Sequence, residues 1–289
     1  MSASHTVERP AELLAFLLAS CPDVARAKVQ RWLKYGMVQV NGESFTRFNH
    51  PLLPGDRISI LDQGDVRARS QLPSGMKILF QDASLIVIEK PDNLLSIASD
   101  AEREKTAYAH LTNYVRQGQS QRSERVWIVH RLDRETSGLM VFAKTEACKT
   151  MLQSHWKRAE KRYLAVVEGA PPEPAGVLKS HLDESSPFKV FSVPESEQTR
   201  HAVTHYRLVK KNTSMALVEL TLETGRRHQI RVHLSDIGCP IVGDEKYDAR
   251  TNPARRLGLH ASYLQFEHPL SGEVLQFESP LPAALARLL

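Results

Sequence analysis

The chain has 289 residues, 42% of them apolar and 25% charged, which is the length of one large domain or two smaller ones and the composition of an ordinary globular protein. Its formal charge of +5, from 38 basic against 33 acidic residues, favours a polyanionic partner only mildly. Cys21, Cys148 and Cys239 are far apart, odd in number and form no CxxC pair, which argues against a disulfide framework or a structural zinc site and for a reducing, cytoplasmic compartment.

The first ten residues carry no apolar signal core, and the most apolar early stretch, 13–19, is too short to span a bilayer, so no membrane is expected. Leu13, Leu14, Phe16, Leu17 and Leu18 predict a short buried helix over 11–20. Pro22 and Asp23 signal a second helix over 24–35, with Ala25, Val29, Trp32 and Leu33 on its buried stripe and Gly36 as its stop. Lys28, Arg31 and Lys34 recur every third residue and share another stripe. Residues 37–40 predict a strand, Asn41-Gly42 a tight turn, Pro54-Gly55-Asp56 a second turn, and 57–60 a closing strand. The local basic stripe can track a phosphate backbone, or it is a solvated helix face.

Residues 63–76, rich in Gly, Ser, Pro and Arg, predict a linker. Beyond it, 78–80 and 85–88 predict a hairpin, 106–117 a helix and 138–143 a buried strand. A helix over 146–158 would carry Ala147, Met151, Leu152 and Trp156 on one stripe. Further strands are expected at 163–167, 203–208 and 216–222, and a helix over 225–238. The expected fold is α+β: a large mixed, mostly antiparallel sheet domain over 77–289, with a small helix-helix-hairpin domain over 1–62. No glycine-rich phosphate loop and no GxGxxG is present.

Three segments concentrate chemistry. His130-Arg131-Leu132-Asp133-Arg134-Glu135-Thr136-Ser137-Gly138-Leu139 fills a loop before a buried strand with charged and small residues; the alternative is an ion-paired surface loop. Lys161-Arg162-Tyr163 starts a strand beside two cations, where Tyr163 can equally be a half-buried strand aromatic. In Thr224-Gly225-Arg226-Arg227-His228-Gln229-Ile230-Arg231-Val232-His233, Arg227 and Arg231 fall one helical turn apart and call for an anionic partner, unless the face is merely exposed. A metal site built from His130, His228, His233 and His260 is disfavoured, because positions five apart on a helix diverge by about 140° and no HExxH pattern accompanies them.

Together these strings closely resemble the pseudouridine synthases of the RluA type. The resemblance runs from about 77 to 289 and includes Lys90-Pro91, Gly243-Asp244, Tyr247 and Leu259-His260-Ala261. Two departures are Asp248, where the family usually has glycine, and Asp92-Asn93, where a small residue and glycine often follow Lys-Pro. Residues 7–62, with Gly36-Met37-Val38-Gln39-Val40-Asn41-Gly42 and Gly55-Asp56, resemble the alpha-L RNA-binding module of a small-subunit ribosomal protein and many RNA-modifying enzymes.

The resemblance implies a cofactor-free, metal-free isomerisation of uridine in structured RNA, breaking the N-glycosidic bond and rejoining the base through carbon. Asp133 matches the essential aspartate, which attacks or stabilises the sugar's anomeric carbon. Arg231 matches its arginine partner, and Tyr163 the active-site tyrosine that stacks on uracil or acts as a base. Arg131, Arg134, Arg227 and His228 are expected to bind substrate near the site, and Lys28, Arg31 and Lys34 to bind RNA at a distance. Ribosomal RNA is the expected partner and transfer RNA the alternative; the chain is expected to act as a monomer. The rival reading is an RNA-binding protein whose catalytic domain is inactive.

Overall fold

A computed structural model of the chain describes residues 3–34, 37–61, 72–98, 102–117 and 125–289. Most of the expected linker, 63–71, and the helix stop expected at Gly36 lie outside the described residues.

The N-terminal residues place two helices on a small sheet. Strands β1 (Ala3–Thr6), β3 (Val38–Val40), β4 (Glu43–Ser44) and β6 (Arg57–Ile60) lie in the order β1-β6-β3-β4. The two-residue strands β2 (Ala11–Glu12) and β5 (Pro51–Leu52) pair separately. Helices α1 (Leu13–Ser20) and α2 (Arg26–Lys34) bury Leu13 with Leu17 and Val29 with Leu33, each pair four residues apart on one stripe. They meet Val38, Val40, Ile58 and Ile60 in one core. Ala25, expected on the α2 stripe, precedes the helix and is exposed.

Asn41 and Gly42 both have positive φ, 50° and 85°, the turn whose twist suits a two-residue hairpin. A Cβ on Gly42 would lie 2.5 Å from the Ile78 carbonyl oxygen, so the hairpin tip abuts the following sheet. Beside it, the Arg57 guanidinium lies 5.3 and 5.4 Å from the ring centres of Phe80 and Phe277.

The second sheet has eleven strands. Its path β13-β12-β14-β15-β11-β16-β10-β8-β7 is extended by β17 on β16 and β9 on β10. The strands are β7 (Lys77–Gln81), β8 (Leu85–Lys90), β9 (Trp127–Ile128), β10 (Ser137–Ala143), β11 (Glu160–Glu168) and β12 (Ala175–Asp183). They continue with β13 (Phe191–Val193), β14 (Arg200–Lys211), β15 (Met215–Leu222), β16 (Leu259–Glu267) and β17 (Val274–Glu278). Every described pair is antiparallel except β10 with β16, so the sheet is mixed and mostly antiparallel, as expected.

Strand β10 is buried along its whole length because both faces are covered. Met140 and Phe142 point into a core with Leu111, Tyr114 and Val115 of α3 (Ala107–Gln117). Leu139 and Val141 alternate onto the opposite face, against Cys148 and Leu152 of α4 (Glu146–His155). The α4 stripe therefore runs through Cys148 and Leu152, and the expected Ala147 and Met151 are exposed. A short helix, α6 (Ala283–Ala286), closes the described chain.

The expected helix over 225–238 is shorter: α5 spans Gln229–Asp236. His228 has φ 54°, a left-handed conformation that cannot continue into a right-handed helix, so Arg227 lies outside it. Arg227 and Arg231 consequently do not share a helical face. All three cysteines are unpaired, with Cys148 and Cys239 buried. Among the described residues no helix is long and apolar enough to cross a membrane.

Candidate active site

The loop between β9 and β10 carries Asp133 and is pinned at several points. His130 Nε2 accepts the Val141 amide at 3.1 Å while its ring stacks on Trp156 at 4.5 Å. Burial, reinforced by the Lys161 charge, holds this imidazole neutral and pushes its pKa down to about 3. Ser96 Oγ donates to the Leu132 carbonyl (2.6 Å) and accepts the Leu132 amide (3.1 Å). Lys90 is fully buried, and its Nζ donates to the carbonyls of Pro91 (2.9 Å), Leu94 (2.7 Å) and Arg134 (3.1 Å). Burial pulls the Lys90 pKa down to about 7, against the opposing charges of Asp133, Asp92 and Glu135.

At the end of the loop, Arg256 Nη2 donates to Ser137 Oγ at 2.6 Å. Ser137 Oγ then meets His260 Nδ1 (2.8 Å), His260 Nε2 meets Ser279 Oγ (2.9 Å), and Ser279 donates to Glu89 (2.9 Å). With a cation at one end, a carboxylate at the other and a neutral imidazole between, each hydroxyl accepts once and donates once. The Asp133 segment is thereby tied across β10, β16 and β8 through Ser279, which follows β17.

Asp133, Tyr163 and Arg231 line one open cavity of about 390 Å³, together with Arg131, Arg227 and His228. The expected forked pair between Arg231 and Asp133 is not formed. The fork goes to Asp244 instead, from Nε to Oδ2 and from Nη2 to Oδ1, both at 2.7 Å. Arg231 Nη1 faces Asp133 Oδ2 at 3.6 Å and Glu135 Oε2 at 3.5 Å, beyond ordinary hydrogen-bond length. A geometric reason is plain: the guanidinium offers one edge to Asp244, which leaves only Nη1 for the loop. Burial opposes the Arg231 charge, but the Asp244 hydrogen bonds and the neighbouring carboxylates outweigh it and raise its pKa.

Burial raises the Asp133 pKa; Arg231 pulls it back and Glu135 adds to the rise. Asp133 is thus a carboxylate facing the Arg231 cation with no short hydrogen bond from it, the state in which an oxygen remains available to an electrophilic carbon. Burial, followed by the Asp133 charge, raises the Tyr163 pKa, so its phenol stays neutral at neutral pH and presents a ring face and an O–H.

The other expected contacts separate. Arg131 lines the cavity, and Arg131 and Arg134 are both exposed. Arg227 spends its guanidinium on the carbonyls of Glu184 (3.1 Å), Ser186 and Pro187 (3.3 Å). His228 Nδ1 meets the Tyr247 hydroxyl at 2.8 Å, and burial with the nearby Arg231 charge pushes its pKa down to about 3. Lys28, Arg31 and Lys34 are exposed on α2 and do not line this cavity. Sequence reasoning missed the roles of Asp244, Glu135 and Lys90. Gly243-Asp244 and Lys90-Pro91 stood in the matching strings, but spacing alone did not say that they converge on Asp133 and Arg231. Among the described residues, no three His, Cys, Asp or Glu groups are placed to hold a metal ion.

An ionisable carboxylate beside a buried guanidinium, in a cavity shared with a neutral phenol, is equipment for chemistry at a sugar carbon. The sequence model for RNA pseudouridylate synthase matches residues 84–236, a span holding Asp133, Tyr163 and Arg231. The "Uncharacterized RNA pseudouridine synthase YlyB" of Bacillus subtilis is 33% identical, over 95% of this chain and 91% of its own. The "Ribosomal large subunit pseudouridine synthase D" of Nitrosomonas europaea is 36% identical, over 93% of this chain and 80% of its own. Among solved structures, "Human RNA Pseudouridylate Synthase Domain Containing 4" superposes with a TM-score of 0.62 at 29% identity, covering 78% of this chain and 94% of that one. The chain belongs to the RNA pseudouridylate synthase family, and is an enzyme of the RluA type that isomerises uridine in RNA.

Proposed function

We propose that the substrate is large-subunit ribosomal RNA and that Asp133 is the carboxylate that acts on the sugar of the target uridine. The observation that carries the assignment is the placement of Asp133 in the cavity, 3.6 Å from Arg231 Nη1. In the reaction the bond from C1′ to N1 of uracil breaks and a bond from C1′ to C5 forms. The C5 proton is lost and N1 takes one up. A carboxylate can attack C1′ or stabilise its developing positive charge. Arg231 keeps Asp133 ionised and oriented, and Tyr163 offers a ring for the uracil to stack on. Relatives named as large-subunit enzymes, similar over most of their length, favour ribosomal RNA.

The exposed stripe of Lys28, Arg31 and Lys34 supports reading residues 1–62 as an RNA-binding unit that holds phosphates away from the cavity. Target uridines are flipped out of their stack at a cost of a few kcal/mol, which such contacts offset.

The test compares wild type with Asp133→Asn on RNA from cells lacking the protein, with pseudouridines mapped by carbodiimide-stop sequencing. Wild type should restore sites in large-subunit ribosomal RNA and Asp133→Asn none. Restoration only in transfer RNA would replace the substrate while keeping the chemistry. Equal restoration by both proteins would remove Asp133 from its role.

A further inference from the structure

Arg227 grips a loop instead of reaching for phosphate, and that loop ends in an aromatic ring in water. Residues 184–190 connect β12 to β13. Ahead of the tip, the Arg227 amide donates to Glu184 Oε1 at 2.7 Å and its guanidinium to the carbonyls of 184, 186 and 187. Behind the tip, Val190 is fully buried and its amide donates to the Tyr247 hydroxyl at 2.9 Å, which also meets His228. Between these anchors Phe188 is 76% exposed. Glu184, Arg227 and His228 line the same cavity as Asp133, so the loop stands at the rim of the active site.

A large apolar ring held in water by fixed hydrogen bonds on both sides is a preorganised contact: binding need not order the loop. The loop's charges do not favour phosphate there. Arg227 is spent on carbonyls, and the Lys189 ammonium sits 3.8 Å from Asp248 and 5.1 Å from the Tyr247 ring centre. What the tip offers is a π face. RNA presents unstacked bases beside a flipped nucleotide, and such bases stack on aromatic side chains. We propose that Phe188 is a stacking platform for a base of the substrate RNA next to the target uridine. The inference rests on the reading of the Asp133 cavity as the place where uridine reacts.

The test uses total RNA from cells lacking the protein, labelled with tritium at uridine C5, because loss of the C5 proton releases tritium to water. Phe188→Ala and Phe188→Leu should each raise KM about tenfold while kcat stays within about twofold, the loss of one base–aromatic stack. Phe188→Trp should keep the wild-type KM, and its added emission should be quenched as unlabelled RNA is titrated in. Leu270→Ala, an equally simple truncation of an exposed side chain in the turn between β16 and β17, should change neither constant. A wild-type KM for Phe188→Ala or Phe188→Leu would overturn the proposal. So would an added tryptophan emission indifferent to RNA. Should wild type release no tritium at all, the reading of the cavity falls, while the tryptophan titration still decides the stacking.

Discussion

Asn93 and Asp248 occupy the two places where the RluA-type pattern commonly carries glycine, and both have left-handed backbones, φ 57° and 70°. A left-handed backbone is the conformation in which glycine is unstrained. Asn and Asp are among the side chains that enter this region most readily, though an L residue there still costs about 1–2 kcal/mol. Glycine avoids that strain but loses more backbone entropy on folding, about 0.5–1 kcal/mol. Asp248→Gly should accordingly raise the unfolding midpoint by about one to three degrees, equivalent to roughly 0.5–1 kcal/mol. The Lys189–Asp248 contact is long and Asp248 is 78% exposed, so its loss subtracts little. Thermal unfolding of the two proteins side by side checks this; an unchanged or lower midpoint for the glycine variant would show that Asp248 is held by more than its backbone. Conformation at such single positions is hard to read ahead. His228 is left-handed too, and the helix expected from 225 starts only after it, at Gln229.

Helix α2 is the element whose proposed work separates most cleanly from its packing. Val29 and Leu33 face the core, while Lys28, Arg31 and Lys34 are exposed, Lys28 lying 5.8 Å from the Trp32 ring centre. Replacing all three cations with glutamine should leave the urea midpoint close to wild type. It should also make the plot of log affinity for RNA against log salt shallower by about two, since each phosphate contact contributes roughly 0.7–0.9 to that slope. Filter binding at several salt concentrations measures it, and an unchanged slope would reduce the stripe to a solvated face. The α2 stripes were legible because their spacing is helical and the residue types contrast. For α4 the period was legible but its phase was not: Cys148 is buried where Ala147 was expected. Strands β12 and β17 bury few side chains and mix polar with apolar residues, so no apolar run marked them. The residues of the cavity were legible only because long strings resemble a family. That Asp244, and not Asp133, takes the Arg231 fork depends on contacts across the fold that no local spacing encodes.

At the scale of the whole molecule, two buried histidines tie strand to strand and to the site, and burial holds both neutral. His260 lies between Ser137 and Ser279, and His233, on the helix that carries Arg231, lies between Thr204 (2.8 Å) and Ser180 (2.9 Å). Burial pushes both pKa values down to about 4, from an ordinary value near 6.5. Above pH 6.5 both are neutral, folded or unfolded, and their contribution to stability is complete. As pH falls below 6.5 the unfolded chain takes up protons that the folded chain refuses, so stability declines until the folded pKa is reached. Two such groups give a slope of up to about 2.7 kcal/mol per pH unit in that window. His130 and His228, also held neutral, act in the same sense, while the raised Asp133 carboxyl acts against them. Urea unfolding should therefore show a steep fall in stability between pH 6 and 4.5, below the shallower decline toward pH 7 that the lowered Lys90 pKa contributes. Isomerase activity should then disappear with the folded state in that range, before titration of Asp133 can be read from the rates. If the enzyme is as stable at pH 5 as at pH 7.5, the imidazoles accept protons in the folded protein, and His260 Nδ1 must then donate to Ser137 instead of accepting from it.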